Sequence, residues 1–476
     1  MDTGVVVLKL SVREVRRDAT CLSEVNDTRC VDAGWCDDAI ISKDPVSFLE
    51  GLVREYGDCV RYQSPLGRYI VFNHPQHVKQ ILHSTQLMRG TLLRFVFGDS
   101  LVTSQGLLWR QRRNLLQPFF LPKHVETFGD VISSVIDRTK KRWQASVAAC
   151  EPVDISQEMN RLALEVIFAA LCSLSLNSQQ IQTLSVAISS LFDDLSEIQK
   201  ASLGYPVVIS PSRNRRVTEA TRVIDDFFYE IINRRRSETS PPCDLLSHMM
   251  NTKDQDGTVL SDQHLRDELL TIILTGHETT AMSLSWIWYL LSLHPNSERR
   301  LHRELDEVLG NRSPTISDLP HLAWTEQVVK EAMRLYPPIW FIVRRAKEDI
   351  EVGGMKVSAG DFPIVCLSTL HRHPMFWDHP NGFDPDRFSG GLSRSQSDAF
   401  LPFGLGSHVC IGQHISMLEQ MMALASLGSQ FRVYSIDDRQ IKPFAGVSLR
   451  MDGPFMAKIK DRHHDLDGNI RQGTAL

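Results

Sequence analysis

Apolar residues recur three and four positions apart through most of the chain, which is the spacing that places them on one face of an α-helix. One such block runs from Val125 to about Met250, and a second runs from Ser261 to Leu335. A third begins near Cys410 and continues to Gln430. Because proline interrupts a helix, the prolines inside the first block predict several helices joined by short connections.

Strand-like alternation is confined to short segments. It runs from Val60 to Phe72 around a Pro65-Leu66-Gly67 turn, and it returns from Ile350 to Ile364 with Gly353-Gly354 as a turn. The sequence therefore predicts a mainly α protein with small β-sheets, an α+β fold. Residues 1–43 show no lasting periodicity, so we expect a poorly ordered lead followed by one folded domain over residues 44–476.

The composition excludes several classes of protein. Of 476 residues, 42% are hydrophobic and 23% are charged, which is ordinary for a globular chain. A formal net charge of -5 provides no basic surface field, so we expect no nucleic-acid partner. The apolar run Val5 to Leu8 is followed at once by Lys9, and it is too short for a membrane anchor.

The nine cysteines are scattered, odd in number and without a C-x-x-C pair. Unpaired thiols favour a reducing compartment, and we expect a cytoplasmic protein. A metal site at Cys21, Cys30 and Cys36 is the weaker alternative, because these residues lack the close pairing of zinc ligands.

One cysteine, Cys410, lies between glycines just before the third helical block. At the start of a helix, free backbone N–H groups and the positive end of the helix dipole favour the thiolate, which is the form that binds metal. Gly406 and Gly412 lack a Cβ, so they permit a tight turn and a close approach to a flat ligand. This loop is a candidate metal-binding segment.

The second block opens with about 33 apolar-rich residues, Ser261 to Leu293, enough for a helix of roughly 50 Å. His277 and Glu278 near its middle would be costly in lipid, so a buried helix that crosses a cofactor is preferred over a membrane span. Gly276 would make room for the cofactor face. Glu278 and Thr279 supply an acid beside a hydroxyl, a pair that can relay protons into a site that excludes water.

Phe403, Gly406, Cys410 and Gly412 match the F-x-x-G-x-x-x-C-x-G heme-binding signature of the cytochrome P450 family, and the chain resembles that family from about Pro45 to Ile459. The resemblance implies the cytochrome P450 fold, with heme b between the long central helix and the cysteine-loop helix. It makes Cys410 the ligand of the heme iron.

The resemblance extends to the long helix. Its central segment is similar to the family's A/G-G-x-D/E-T motif, with Thr275 in place of the first small residue. The acid Glu278 and the alcohol Thr279 are retained, so the resemblance assigns both to catalysis.

Other motifs carry over structural and cofactor-binding roles. Glu331 and Arg334 match the family's E-x-x-R motif, and Arg387 matches the arginine that completes a buried structural triad. We expect these three residues to hold the core beside the cysteine loop. His371, His373 and His379 have a spacing that fits no known metal site.

Four residues are implicated in binding the heme propionates, with a fifth as an alternative to one of them. Trp109 and Arg113 match the W-x-x-x-R helix of the family, whose side chains approach a propionate. Arg344 occupies the strand position from which an arginine often reaches the other propionate, and Arg345 is the alternative if the register differs. His408 stands where many members have a propionate-binding arginine, and histidine can also donate a hydrogen bond there.

The implied activity is that of a monooxygenase, which inserts one oxygen atom of O2 into a C–H or C=C bond, because thiolate ligation favours O–O cleavage. We expect electrons from a ferredoxin and its NAD(P)H-dependent reductase, with docking near Arg110, Arg112 and Arg113, and a monomeric enzyme. The alternatives are a peroxide-using or rearranging heme-thiolate enzyme and a non-catalytic heme-binding sensor.

We expect a largely apolar small molecule as substrate. We expect substrate specificity to lie in the segments Leu87 to Val102, Leu191 to Val208 and Ile339 to Val343, and the alternative is that their apolar side chains are plain core. Arg89 and Arg94 are candidates to hold a substrate carboxylate, and the alternative is that they are simply exposed. The predicted pocket comprises Leu92, Leu93, Phe95, Phe97, Trp340 and Phe341.

Overall fold

The computed structural model describes residues 31–36, 41, 43–90, 92–207, 210–252, 259–436 and 439–462. The helices in these ranges are α1 Pro45–Tyr56, α2 Pro75–His83, α3 Arg94–Phe97, α4 Gly106–Leu116, α5 Pro122–Val125, α6 Gly129–Ala149, α7 Ile155–Cys172, α8 Ser178–Gln199, α9 Pro211–Ser237, α10 Leu245–Asn251, α11 Asp262–Leu293, α12 Pro295–Leu309, α13 Ala323–Leu335, α14 Leu367–Leu370, α15 Arg394–Ala399 and α16 Gln413–Gly428.

Thirteen strands lie in the described ranges, and short 3₁₀ turns connect several helices. The strands are β1 Val31–Trp35, β2 Cys59–Ser64, β3 Gly67–Phe72, β4 Leu87–Arg89, β5 Val153–Asp154, β6 Phe341–Ala346, β7 Ile350–Val352, β8 Met355–Val357, β9 Phe362–Cys366, β10 Phe431–Ser435, β11 Pro443–Ala445, β12 Leu449–Met451 and β13 Met456–Asp461. The predicted mainly α fold with small sheets is confirmed, as are the hairpins β2–β3 and β7–β8.

The predicted poorly ordered lead is wrong for Val31–Trp35. These residues form β1, which runs parallel to β2 with Val31 opposite Val60. Backbone pairing to a distant strand needs no local periodicity, so the sequence pattern could not reveal it. The remainder of the lead, with Cys21 and Cys30, lies outside the described residues.

The largest sheet has the strand order β1-β2-β3-β9-β6-β4. β4 and β6 are antiparallel, and their register places Arg89 opposite Arg344. The other sheets are β10-β13-β5, β11-β12 and β7-β8. The alternating side chains of β3 enter two different apolar clusters, because successive residues of a strand face opposite sides of the sheet.

The largest apolar cluster lies among the helices, and α6, α7, α11 and α16 all contribute to it. From Leu265 to Leu291 most side chains of α11 are buried, so apolar residues occur on all of its faces. It begins after Ser261, whose side chain accepts a hydrogen bond from the backbone N–H of His264 at 3.3 Å. None of the described helices combines the length and apolar character that a membrane crossing requires.

Candidate active site

The cysteine loop folds back on itself in front of α16. The N–H of Cys410 donates to the carbonyl of Phe403 at 2.9 Å, and the N–H of Val409 donates to the carbonyl of Gly406 at 3.1 Å. Gly406 has a φ of 79°, and a Cβ there would lie 2.6 Å from the carbonyl oxygen of Leu82 in α2. Glycine is therefore required at this position both by conformation and by space.

Cys410 has an exposed surface, yet it lies deep enough in the fold for burial to raise the pKa of its thiol. The Gly412 N–H and the Arg113 guanidinium act in the opposite direction and lower that pKa. The predicted thiolate-favouring contacts are present, but burial outweighs them. A Cβ at Gly412 would meet Cys410 Sγ at 3.9 Å, an ordinary contact, so the turn does not require this glycine.

α4 carries two predicted cofactor residues to the cysteine loop. Arg113 Nη1 donates to the carbonyl of Val409 at 2.8 Å, and its Nε donates to Gln117 at 3.1 Å. The ring of Trp109 lies 4.3 Å from the ring of His408, centroid to centroid. The W-x-x-x-R pair and the loop position before the cysteine are thus brought together.

β4 and β6 place two arginines side by side. Burial lowers the pKa of Arg89 to about 10, and burial together with the neighbouring Arg89 lowers the pKa of Arg344 to about 10. Arg89 donates to the backbone carbonyl of Leu101, and Arg344 donates to that of Val343. Arg345 is exposed and its guanidinium lies 6.0 Å from the ring of Phe362, so the register favours Arg344 for the predicted role.

The arginines Arg89, Arg113 and Arg344, together with the neutral His408 beside them, form what we call the cation cluster. Burial and the three arginines lower the pKa of His408 to about 4. None of the three arginines forms a salt bridge with a carboxylate of the described residues. Like charges on opposed strands are destabilising, so the cluster suits an anionic ligand. A heme carries two propionates, and the cluster beside Cys410 therefore fits this cofactor.

Sequence reasoning did not assign Arg89 to the cofactor and treated it as a possible partner of a substrate carboxylate. The cross-strand pairing with Arg344 is the signal, and it depends on a register between distant strands. Arg94, the other candidate for such a carboxylate, forms an ion pair with Asp99 at 2.5 Å.

Two hydroxyl groups near the centre of α11 have different partners, one within α11 and one on α16. Thr279 Oγ1 donates to the carbonyl of Thr275 at 2.8 Å. The hydroxyls of Thr280 and Ser416 lie 3.1 Å apart, which joins the centre of α11 to the first turn of α16, close in sequence to Cys410. The acid–alcohol segment and the cysteine helix are therefore in direct contact.

Glu278 is buried and bound by the β11–β12 hairpin. Its Oε1 accepts from Ser448 Oγ at 2.7 Å and from Arg450 Nε at 2.6 Å. Arg450 Nη1 also donates to Asp193 of α8 at 2.7 Å. Sequence analysis missed Ser448 and Arg450, because no motif marks a hairpin that reaches α11 only in the folded chain.

Gly276 packs against α7, and its predicted place at the cofactor face stays a prediction. A Cβ at Gly276 would lie 2.9 Å from Ile167 Cδ1. Glycine here allows α7 and α11 to approach each other closely.

The predicted structural triad is assembled. Arg334 and Glu331 are fully buried, and Arg334 donates to both carboxylate oxygens of Glu331 at 2.6 and 2.8 Å. Arg387 Nε donates to Glu331 at 3.2 Å. Arg334 also donates to the carbonyl of His371, whose Nε2 accepts from the N–H of Leu401 at 2.9 Å. The triad is thus tied to the start of the cysteine loop.

His373 and His379 have structural contacts of their own. His373 Nε2 lies 2.8 Å from Asp58, and the carbonyl of His379 accepts from Arg387.

Apart from Phe95, the six predicted pocket residues belong to different apolar clusters of the fold. Phe97 is buried in the largest apolar cluster, and Leu92 and Leu93 pack against that cluster. Phe95 is 47% exposed. Trp340 and Phe341 belong to a separate cluster beneath the sheet, where Trp340 Nε1 donates to the carbonyl of Gly446 at 3.0 Å.

The three arginines predicted to dock a ferredoxin differ in exposure. Arg110 is exposed, but Arg112 is buried and its Nε lies 3.3 Å from Glu268 of α11. Arg113 is half-buried in the cation cluster. The prediction is therefore wrong for Arg112 as a surface residue, because successive side chains of a helix point in different directions and Arg110 and Arg112 lie on different faces of α4.

The cytochrome P450 family model matches residues 36–458. Cyclooctatin synthase of Streptomyces melanosporofaciens is 30% identical over 86% of this chain and 90% of that protein. Cyclooctat-9-en-7-ol 5-monooxygenase of the same organism is 31% identical over 85% and 87%. Pentalenene oxygenase of Streptomyces avermitilis is 30% identical over 84% and 89%. The chain belongs to the cytochrome P450 family, whose members bind heme b.

Proposed function

We propose that this heme-thiolate monooxygenase oxidises a cyclic terpene-like hydrocarbon, with electrons from a separate ferredoxin and its NAD(P)H-dependent reductase, as a monomer in the cytoplasm. When bound, the heme supplies O2 binding and O–O cleavage. The observation that carries the proposal is the cation cluster beside Cys410, which offers an anion site next to a sulfur ligand. A cyclic, mainly hydrocarbon substrate is supported by the names of two relatives, which are an oxygenase of pentalenene and a monooxygenase of cyclooctat-9-en-7-ol.

Different residues would hold the iron and the propionates of the cofactor. Cys410 would bind the iron through its sulfur, while Phe403 and Gly406 shape its loop and the backbone N–H of Gly412 donates to the sulfur. The propionates would be held by charge and hydrogen bonds from the cation cluster and by the indole of Trp109. The members of this set are Arg89, Trp109, Arg113, Arg344 and His408.

Glu278 and Thr279 would hold and move protons. Thr279 keeps its hydroxyl on α11 through the carbonyl of Thr275, and Glu278 is kept in place by Arg450 and Ser448. A positioned acid and hydroxyl deliver protons without admitting bulk water.

Reaction with labelled oxygen tests the proposal. We would first screen cyclic terpene hydrocarbons for a spin-state change in the ferric absorption spectrum, and then supply ¹⁸O2, NADPH, a ferredoxin and its reductase. One ¹⁸O atom in the product, dependent on every component, is the expected result. Product formed from peroxide without external electrons, or heme binding with no turnover of any bound compound, would overturn the proposal.

Replacing Arg450 by glutamine is expected to lower the yield of product per NADPH by about tenfold, because Glu278 loses the cation that positions it. Hydrogen peroxide should increase correspondingly, and Arg450→Lys should be intermediate because it keeps the charge. Product and peroxide measured against NADPH consumption give this ratio. Arg439→Gln is the matched control, since Arg439 pairs with Asp452 at 2.8 Å at the edge of the same hairpin. An unchanged ratio in Arg450→Gln would contradict the role.

Reversing the charge of Arg110 is expected to slow reduction by the ferredoxin about tenfold at low salt, with the difference disappearing at high salt. Stopped-flow reduction of Arg110→Glu across ionic strengths measures this effect. Arg222→Glu, on the exposed face of α9, is the control. Equal reduction rates of Arg110→Glu and the wild type at low salt would rule out docking at this position.

A further inference from the structure

A buried carboxylate of α11, Glu268, contacts both segments that lead to the cation cluster. Glu268 has no exposed surface. Its Oε2 accepts the N–H of Leu101 at 3.1 Å, and its Oε1 lies 3.3 Å from Arg112 Nε without hydrogen-bond alignment. Leu101 belongs to the loop between α3 and α4, and Arg112 belongs to α4.

Leu101 connects Glu268 to Arg89, the first of two arginines of the cation cluster that Glu268 reaches indirectly. The carbonyl of Leu101 accepts from Arg89 Nη1 at 3.4 Å. Gln105, at the start of α4, donates to the carbonyl of Arg89 at 3.0 Å. The position of the loop therefore affects where the Arg89 guanidinium lies.

Arg112 connects Glu268 to Arg113, the second of these two arginines. It directly precedes Arg113, and the helical turn fixes the direction of one side chain relative to the other. Anchoring Arg112 in the interior therefore orients Arg113 toward the cysteine loop, where it donates to Val409.

The neighbouring carboxylate secures the same loop. Asp267 Oδ2 accepts the N–H of Asp99 at 3.1 Å. Gly98 has a φ of 55°, and a Cβ there would lie 2.0 Å from Asp267 Oδ2, so this approach depends on glycine. Two consecutive carboxylates of α11 thus hold the loop from Gly98 to Leu101.

We propose that Glu268 is a positioning residue for heme retention, which fixes the loop behind Arg89 and the helix that carries Arg113 so that both arginines reach one anion. This inference depends on the proposed function, in which the cation cluster holds the heme propionates. Glu268 does not touch the cofactor in this proposal and acts through the two arginines.

The charge of Glu268 gives the role a pH signature. Burial raises the pKa of Glu268 to about 7, and the neighbouring charge of Asp267 also raises this pKa. The Leu101 N–H and the Arg112 guanidinium act in the opposite direction and lower it. Above this value the carboxylate attracts Arg112, and below it the attraction is lost. Heme is therefore expected to leave the wild-type protein faster at pH 6 than at pH 8.

Transfer of hemin from the ferric holoprotein to excess apomyoglobin measures retention without any turnover. At pH 8, Glu268→Gln keeps the acceptor for Leu101 but loses the charge, and we expect release about tenfold faster. Glu268→Ala also loses the acceptor and should release heme faster still. At pH 6 the Gln variant and the wild type should converge.

Glu165→Gln is the matched control, because Glu165 is a buried carboxylate that pairs with Arg138 and Arg161 and not with the loop. Its hemin release should equal that of the wild type. Wild-type release rates for Glu268→Gln at pH 8, or equal acceleration by Glu165→Gln, would overturn the role, and this holds even if Glu268→Ala does not fold. A wild-type protein without thiolate-bound heme would instead overturn the proposed function.

Discussion

Replacing Cys410 by serine is expected to abolish the strongly red-shifted Soret band of the reduced, carbon monoxide-treated protein, together with monooxygenase turnover. A serine hydroxyl stays protonated near neutral pH and cannot supply the thiolate that favours O–O cleavage. The cation cluster remains in this variant, because Arg89, Arg113 and Arg344 are unchanged. We therefore expect heme to bind more weakly but still bind, with an absorption maximum at shorter wavelength.

Cys172→Ser is the control for loss of a buried thiol. Cys172 lies at the end of α7, where burial raises the pKa of its thiol to about 12. It belongs to none of the motifs of the candidate site. This variant should keep the wild-type spectrum. A red-shifted band that survives in Cys410→Ser would show that another group ligates the iron and would remove the basis of the proposed function.

The parts of the site that are local in sequence were predictable. The loop from Phe403 to Gly412 is contiguous, and the backbone hydrogen bonds that close its turn join residues within ten positions of each other. Glu331 and Arg334 are three positions apart on α13, so their pairing follows from helix geometry. Chemistry that is encoded within one loop or one helical turn can be inferred without the fold.

The remaining contacts depend on distant segments. Arg89 joins the cation cluster only through the register of β4 with β6, and Arg450 reaches Glu278 from the last hairpin of the described chain. The residue that packs against Gly276 depends on which helix lies beside α11. Such contacts arise from packing between elements, and spacing along the chain does not specify them.

The fold was predictable to the extent that it rests on periodicity. α11 begins after Ser261 and ends at Leu293 as expected, because a cap and an apolar run define it. β1 was missed because a short strand on the edge of a sheet is specified by its partner.

Replacing Arg334 by leucine is expected to lower the free energy of unfolding by about 3–5 kcal/mol, because it leaves a buried carboxylate with one cation fewer. Arg334 also donates to the carbonyls of His371, Pro380 and Gly382, so these acceptors lose a donor. Since His371 holds Leu401 at the start of the cysteine loop, loss of heme should accompany loss of stability.

Denaturant titration and the heme content of the purified protein measure both effects. Arg334→Lys should be nearly as damaging, because an ammonium cannot serve two carboxylate oxygens and three carbonyls in the geometry of the guanidinium fork. Lys356→Met is the contrasting control: Lys356 pairs with Asp349 at 2.7 Å on the surface, and exposed pairs contribute at most about 1 kcal/mol. Stability of Arg334→Leu within that same range would mean that the triad does not support the core beside the cysteine loop.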